Sequence, residues 1–435
     1  MTNRSRTFLT VLVCVLAAVL IALCGFAVYL SRQPQSSHAT TQTTQAPTTE
    51  HQTVPTTAEP TTIVTTVETE PQPTVYTLSF AGDCTFGNRK ERFDADTFIG
   101  IVGDDYAYPF ADVAEYFHND DCTFINLEGP LTDGGTPADK KFVFKGPTSY
   151  VNIMTEGSVE FANVANNHAY DYGKTGYADT LAALDQAGIF YSDSGDTVVF
   201  TTESGLTVGV YSVLYPENAN GISQKIQHMR EQGAEIVIAS MHWGIEYHYN
   251  PNSTQVKIAH AAIDAGADIV YGHHPHVLQK IEEYNGGIIY YSLGNFSFGG
   301  NTNPIDKDSA IIQQQIIREP DGTVRLGELT AIPVFITGIN PGNDFQPFPM
   351  EAGSKEYDRV MTKLAGKHNV DVLYVPYRDD LNNTGSTQST EPPETIPPTE
   401  AVKPPAATDV PETVPSTEAA ETPPATETTP AAEGA

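Results

Sequence analysis

The chain has 435 residues, with 54 acidic side chains against 23 lysines and arginines and a formal net charge of −31. That balance argues against nucleic acid as a partner, because phosphate backbones are held by clustered lysine and arginine; a polyanionic ligand would need a local basic patch or a metal ion. Length alone allows two or three domains, but residues 34–73 and 379–435 are Thr, Pro, Glu, Ala and Ser with almost no aromatics. Such segments cannot bury enough apolar surface to offset ordering entropy, which leaves residues 74–378 as one sizeable α/β domain between disordered tails.

The first predicted element lies within residues 1–33. Residues 8–30 are almost uninterruptedly apolar, with Arg4 and Arg6 before them and Arg32 after them. About 20 residues at 1.5 Å each span a bilayer's hydrocarbon core, whereas the apolar part of a cleaved signal peptide is usually ~7–15 residues. Leu23 before Cys24 is too large for a lipoprotein signal. The segment therefore reads as an uncleaved transmembrane anchor. Two arginines on its amino side against one beyond place that end in the cytoplasm and the domain outside the cell.

Within the domain, apolar runs rich in β-branched and aromatic residues recur at 76–80, 123–127, 159–165, 208–213, 236–240, 269–271 and 288–292. Helical patterns occupy 111–117, 177–187 and 255–265, and Gly188 and Gly266 follow two of them as C-caps. The alternation predicts parallel strands covered by helices. Pro320-Asp321-Gly322 reads as a turn between two later strands, and the remainder as an edge strand and a closing helix. Cys14 and Cys24 belong to the anchor. Cys84 ends one run and Cys122 begins another, so parallel neighbours hold these thiols near opposite strand ends and no disulfide is expected.

Seven polar side chains stand just after apolar runs: Asp83, Glu128, Asn167, His168, His242, His274 and His276. In α/β sheets ligands collect beyond the carboxyl ends of strands, so groups far apart in sequence can converge there. Two carboxylates, an amide and several imidazoles are the donors of a divalent metal pair. Singly, Gly82-Asp83 and Asn126-Leu127-Glu128 are weak signals, since an acid after a strand is more often a turn former or helix cap. Gly82 reads as letting the backbone approach whatever Asp83 binds. Asn166-Asn167-His168 is stronger, because amides and an imidazole in succession are costly to bury without partners. Asp171 would orient His168 if the segment turns helically; the plainer reading is an Asn-rich turn capping a helix near Lys174. After His242, Trp243 is more commonly core than site wall. Gly272-His273-His274-Pro275-His276 is the most specific element, with His273 the one bystander among three imidazoles that rarely serve packing alone.

As a set these motifs have a precedent. Gly82-Asp83 with Arg89 downstream, Asn126-Leu127-Glu128, Asn167-His168 with Asp171 and Gly173, His242-Trp243-Gly244 with Glu246, His274-Pro275-His276-Val277 and Ser292-Leu293-Gly294-Asn295-Phe296 follow one another over about residues 77–313. In this the chain resembles the bacterial capsule synthesis protein CapA family. The resemblance implies poly-gamma-glutamate capsule production and a layered, calcineurin-like metallophosphoesterase β-sandwich with flanking helices. It implies two divalent metal ions (Mn, Fe or Zn) held by Asp83, Glu128, Asn167, His242, His274 and His276, with Glu128 bridging and His168 serving as an acid beside them.

Two departures qualify that pattern. Asp83-Cys84-Thr85 stands where calcineurin-like proteins have Asp-x-His, and Glu128 where they usually have Asp, so one metal site is expected to be weak or empty. The expected function is a surface-anchored, metal-dependent hydrolase or transferase acting on a cell-surface polymer or its precursor. Arg89 or Lys145 would orient a phosphate or carboxylate. Capsule synthesis and export proteins and the membrane are the expected partners. The alternative is a non-catalytic accessory protein that binds polyglutamate or the export machinery.

Overall fold

Two β-sheets packed face to face take up the apolar runs. The computed structural model describes residues 71–367 except 91, 93 and 217. The predicted anchor, nearly all of the linker and the tail lie outside the described residues. Among these, no helix is long and apolar enough to cross a membrane.

The chain begins with β1 (Thr74–Thr85), β2 (Asn88–Arg89), two short helices, α1 (Phe98–Val102) and α2 (Ala114–His118), then β3 (Cys122–Leu127) and β4 (Phe144–Lys145). Next come α3 (Val151–Glu156), β5 (Phe161–Asn163), α4 (Gly173–Ala187), β6 (Phe190–Ser192), β7 (Thr197–Thr201) and β8 (Thr207–Leu214). The middle holds α5 (Ile222–Glu231), β9 (Ile236–His242), α6 (Ser253–Asp264), β10 (Ile269–His273), β11 (Ile281–Tyr284), β12 (Gly287–Tyr290) and β13 (Asn295–Phe298). The two long strands β14 (Asp308–Arg318) and β15 (Val324–Phe335), then β16 (Phe348–Pro349) and α7 (Lys355–Leu364), close it.

One sheet has the order β16-β15-β14-β1-β3-β5-β6, with β13 also on β1; the other runs β11-β12-β10-β9-β8-β7. β1, β3, β5 and β6 are parallel, as are β8, β9, β10 and β12, while β14 to β16 pair antiparallel. β2 and β4 form a separate two-stranded ribbon. The expected turn before β15 is present, with Gly322 at φ 86°, and Gly188 caps α4 in the left-handed region.

Side-chain alternation decides which surface each strand gives to which layer. In β9, Ile236 and Ile238 enter the core between the sheets, while Val237, Ala239 and Met241 pack beneath α5 and α6. Phe80 and Phe124, stacked at 5.0 Å on the first sheet, meet Tyr271 of the second, 5.1 Å from Phe80. Burying each such side chain contributes roughly 1.5–3 kcal/mol. The Tyr271 hydroxyl, within this apolar layer, donates to the Ala81 and Phe124 carbonyls, tying the sheets together. Cys84 and Cys122 are buried free thiols, and the pairing of Leu78 with Cys122 and of Cys84 with Leu127 puts them at opposite ends of the ladder.

Candidate metal centre

The carboxyl ends of β1, β3, β5, β9 and β10 gather the predicted residues. Asp83 lies near the end of β1 opposite Asn126, Glu128 directly follows β3, and His242 ends β9 opposite His273. The close approach at Gly82 has a different partner from the one its sequence suggested. A Cβ there would sit 2.2 Å from the Gly294 carbonyl oxygen, and the Asp83 N–H donates to that same oxygen at 2.8 Å. Gly82 thus lets β1 press against the loop before β13, which brings Asn295 into the site.

Asp83 and Glu128 are fully buried and share one amide. Asn126 Nδ2 donates to Asp83 Oδ1 at 2.9 Å and to Glu128 Oε2 at 3.2 Å, holding both carboxylates in place. Thr85, at the position where an imidazole was noted as lacking, turns its hydroxyl onto the Glu128 carbonyl at 2.7 Å. The hydroxyl is therefore spent on backbone. His274 and His276 both have positive φ, 96° and 56°, a conformation costing a non-glycine residue about 1–3 kcal/mol. It aims the His274 N–H at Asp83 Oδ2, 3.3 Å away, and sets His276 Nδ1 between Asn295 Oδ1 at 2.9 Å and Asp83 Oδ2 at 3.2 Å.

The electrostatics follow from burial and these contacts. Burial alone would raise Asp83, but His273 and His276 outweigh it and hold the carboxyl well below its usual range. At Glu128 burial dominates and raises the carboxyl well above it. Burial would lower His276, yet Glu128 and Asp83 push it up to about 10. Burial and the charge of His276 press His274 down to about 3, and His242 falls well below its ordinary value for the same kind of reason.

Among the predicted ligands, three buried atoms lack a hydrogen-bond partner among the described residues, Glu128 Oε1, His242 Nδ1 and His274 Nδ1, and so does Nδ1 of the neighbouring His273. A buried polar atom without a partner costs about 1–3 kcal/mol, so three in one place call for a ligand. One atom from each of Glu128, His242 and His274 lies within 4.8 Å of the others, as holds for Asp83, Glu128 and His276 and for Glu246, His274 and His276. Carboxylate and imidazole donors at such separations fit divalent Mn, Fe or Zn.

Beside this cluster His168 stacks on Phe144 at 4.3 Å and meets Asp171 Oδ2 through Nδ1 at 2.8 Å. Its Nε2 lies 3.8 Å from Glu128 Oε1. Burial outweighs Asp171 and lowers the ring below its ordinary pKa. Lys140 adds a cation that was not foreseen, with Nζ 2.6 Å from Asp171 Oδ1 and 2.8 Å from the Asn167 carbonyl.

The fold therefore brings together Asp83, Glu128, His168, Asp171, His242, His274 and His276. Asn167 belongs to the same group through Oδ1, 2.9 Å from His242 Nε2. Arg89 lies on the β2–β4 ribbon opposite Phe144 and over the Phe142 ring at 4.7 Å, and makes no ion pair with the cluster among the described residues. His273 is more than a bystander, buried with Nε2 3.1 Å from Ser240 Oγ and Nδ1 3.6 Å from Asp83. Trp243 is core, packed on Tyr291.

A family model described as bacterial capsule synthesis protein PGA_cap matches residues 77–300. The chain belongs to this family. The stretch that matches carries every residue of the cluster. Among relatives, the capsule biosynthesis protein CapA of Bacillus anthracis is 30% identical over 269 residues, which cover 55% of this chain and 64% of that protein. The chain thus spans slightly less than two thirds of that relative's length. The PGA biosynthesis protein CapA of Bacillus subtilis (strain 168) is 30% identical over 320 residues, 68% of this chain and 79% of that one. Among solved structures, the NAD nucleotidase of Haemophilus influenzae aligns with a TM-score of 0.36 at 11% identity, over 67% of this chain and 56% of its own.

Proposed function

We propose that this protein is a membrane-anchored, metal-dependent hydrolase or transferase that acts outside the cell on a poly-gamma-glutamate capsule polymer or its precursor, with a metallophosphoesterase-like centre. The observation that carries this reading is that Glu128, His242 and His274, each with a buried atom lacking a hydrogen-bond partner among the described residues, bring one donor atom apiece within 4.8 Å of one another at strand ends. Family membership supports capsule polymer as the setting, and the relatives named for capsule and PGA biosynthesis point the same way. An accessory protein that keeps the metal ligands structurally would bind the same ions without turning over any substrate, so the substrate panel separates the two. The uncleaved anchor over residues 8–30 and the extracellular placement rest on the length and charge flanks of that segment.

Asp83, Glu128, Asn167, His242, His274 and His276 would hold the metal. A bound divalent ion supplies charge for an anionic oxygen and lowers the pKa of water toward neutrality. Asn126 keeps the two carboxylates at a fixed separation, so little reorganisation is needed when charge develops. Asp171 accepts the Nδ1 proton of His168 and so leaves Nε2 as the reactive nitrogen, which can take a proton and return it to the leaving group. Phe144 covers the flat side of that ring and keeps bulk water from it.

Elemental analysis of the purified full chain, followed by a panel of phosphoester, amide and polyglutamate substrates, tests the reading. Bound Mn, Fe or Zn with turnover of one substrate class is expected. A chain that binds none of these ions when they are supplied overturns it. For topology, protease added to intact cells should remove the domain while a cytosolic control survives.

A further inference from the structure

The metal centre has an acid on its open side that no strand end supplies. Glu246 stands four residues past His242, on the loop between β9 and α6. Its carboxylate is exposed and makes no hydrogen bond or ion pair among the described residues, yet one of its oxygens lies within 4.8 Å of a ring nitrogen of His274 and of one of His276.

The backbone fixes that placement. Trp243 gives its N–H to the His273 carbonyl at 3.1 Å and its ring N–H to the Tyr291 carbonyl at 3.0 Å. Tyr247 gives its N–H to the carbonyl of Pro275, the residue between the two histidines, at 2.8 Å. Beyond it, Gln279 donates to the His248 carbonyl at 2.7 Å and the Tyr249 hydroxyl donates to Asp306 at 2.8 Å. Glu246 is thus tied on both sides to the turn that carries His274 and His276, in front of the buried Asp83 and Glu128. Three carboxylates brought to one place repel unless a cation stands between them.

The second observation is a shortfall. Asp83, Glu128 and His276 bring three donor atoms within 4.8 Å of one another, and Thr85, at the position that lacks an imidazole, spends its hydroxyl on the Glu128 carbonyl. That leaves the group one donor short of the four a tetrahedral ion takes. It shares His276 with the group that contains Glu246.

We infer that Glu246 is the missing ligand, a carboxylate from a loop of the second sheet that completes the Asp83, Glu128 and His276 site in place of an imidazole from β1. This rests on the metal-centre reading above and adds to it a ligand and a metal preference: the site is filled rather than weak or empty. Three carboxylates and one imidazole make a hard, oxygen-rich set that favours Mn over Zn. Glu128, Asn167, His242 and His274, with two imidazoles, suit Zn or Fe instead. The two sites therefore select different ions.

Titration of the metal-free full chain in detergent with Mn, followed by electron paramagnetic resonance and elemental analysis, tests the assignment. Wild type should take up two Mn ions per chain. E246Q keeps the shape of the side chain and removes its charge; it should hold one Mn as tightly as wild type and the other on the order of a hundredfold more weakly, the upper end of what losing even the partner of a ligand costs. Its metal-free melting temperature should be unchanged, because the side chain is exposed. E246H puts an imidazole back and should restore the second ion, with Zn now displacing Mn from it. Two ions bound with unchanged affinities in E246Q overturn the assignment. Loss of both ions in E246Q also overturns it, because Glu246 would then support the whole centre rather than ligate one site. Failure of the metal reading shows separately: a wild type that takes up no ion sinks that reading, whereas a wild type whose single ion survives E246Q unaltered sinks only this inference.

Discussion

Two buried polar clusters in this fold both hold carboxylates and reach opposite outcomes. Where α7 docks on β14, Lys363 Nζ lies 2.7 Å from Asp306 and 2.8 Å from Asp308, and Arg359 holds Asp308 with two nitrogens at 2.6 and 2.7 Å. At the strand ends, Glu128 has an oxygen with no donor and two imidazoles have a nitrogen with no partner. Burial alone would raise both Asp308 and Glu128. At Asp308 Arg359 and Lys363 outweigh it and hold the carboxyl below its ordinary value; at Glu128 burial wins and the carboxyl rises well above. A buried acid whose cations are supplied by the chain is finished structure. One whose counter-charge the chain leaves incomplete is compatible with a cation from outside it.

The sharpest way to break this contrast is to remove the donors at the strand ends. H274A/H276A should abolish divalent metal binding, since no neighbouring side chain supplies two imidazoles at that geometry. Full metal stoichiometry by elemental analysis would return these residues to the status of turn formers. Next in size, K363M keeps the buried stem but strands Asp306 and Asp308 with one cation, and should cost about 3–5 kcal/mol in denaturant unfolding. Metal content should not change. If K363M lost metal while H274A/H276A kept it, the two clusters would have been assigned the wrong way round.

A smaller effect is expected at Asn126, which touches both carboxylates. N126L should lower metal affinity by roughly 10–100-fold, the usual loss when the partner of a ligand is removed, and titration with Mn or Zn measures it. Unchanged affinity would mean that Asp83 and Glu128 are positioned by their backbones alone.

Much of this was legible in the sequence because strand ends are easy to see and imidazoles are conspicuous. The seven runs became strands, and the donors fell at their carboxyl ends as parallel topology requires. His168 and Asp171 were three residues apart, so a local turn sufficed to pair them. What stayed hidden depends on pairing between distant segments. Asn126 and Asn295 stand in motifs visible in the sequence, but what each bonds is fixed only when β1 meets β3 and β13. Gly82 could be read as a close approach, but its partner, Gly294, lies more than two hundred residues away. Lys140 carries no signal at all, because it reaches Asp171 from a segment without regular structure. Arg89 reads as orienting an anion, and its place on a ribbon opposite Phe144 depends on β2 pairing with β4.

The smallest expected effect concerns acid and base limbs of stability, where the two clusters should differ in sign. Asp308 has a folded pKa below its unfolded value of about 3.9, so its contribution is complete above that pH and is lost as pH falls through the folded value. Glu128 has a folded pKa above its unfolded value of about 4.3. Its contribution is complete below that pH and is lost as pH rises through the folded value. Thermal melts of metal-free protein should therefore show D308N with a shallower fall in Tm than wild type on acidification below about pH 4, and E128Q with a shallower fall on going from about pH 4 toward neutrality. Divalent metal added to wild type should remove the second slope and leave the first, because it supplies Glu128 with a counter-charge and does nothing for α7. Two slopes of the same sign would show that Glu128 already has its counter-charge within the chain, and the contrast between the clusters would fail.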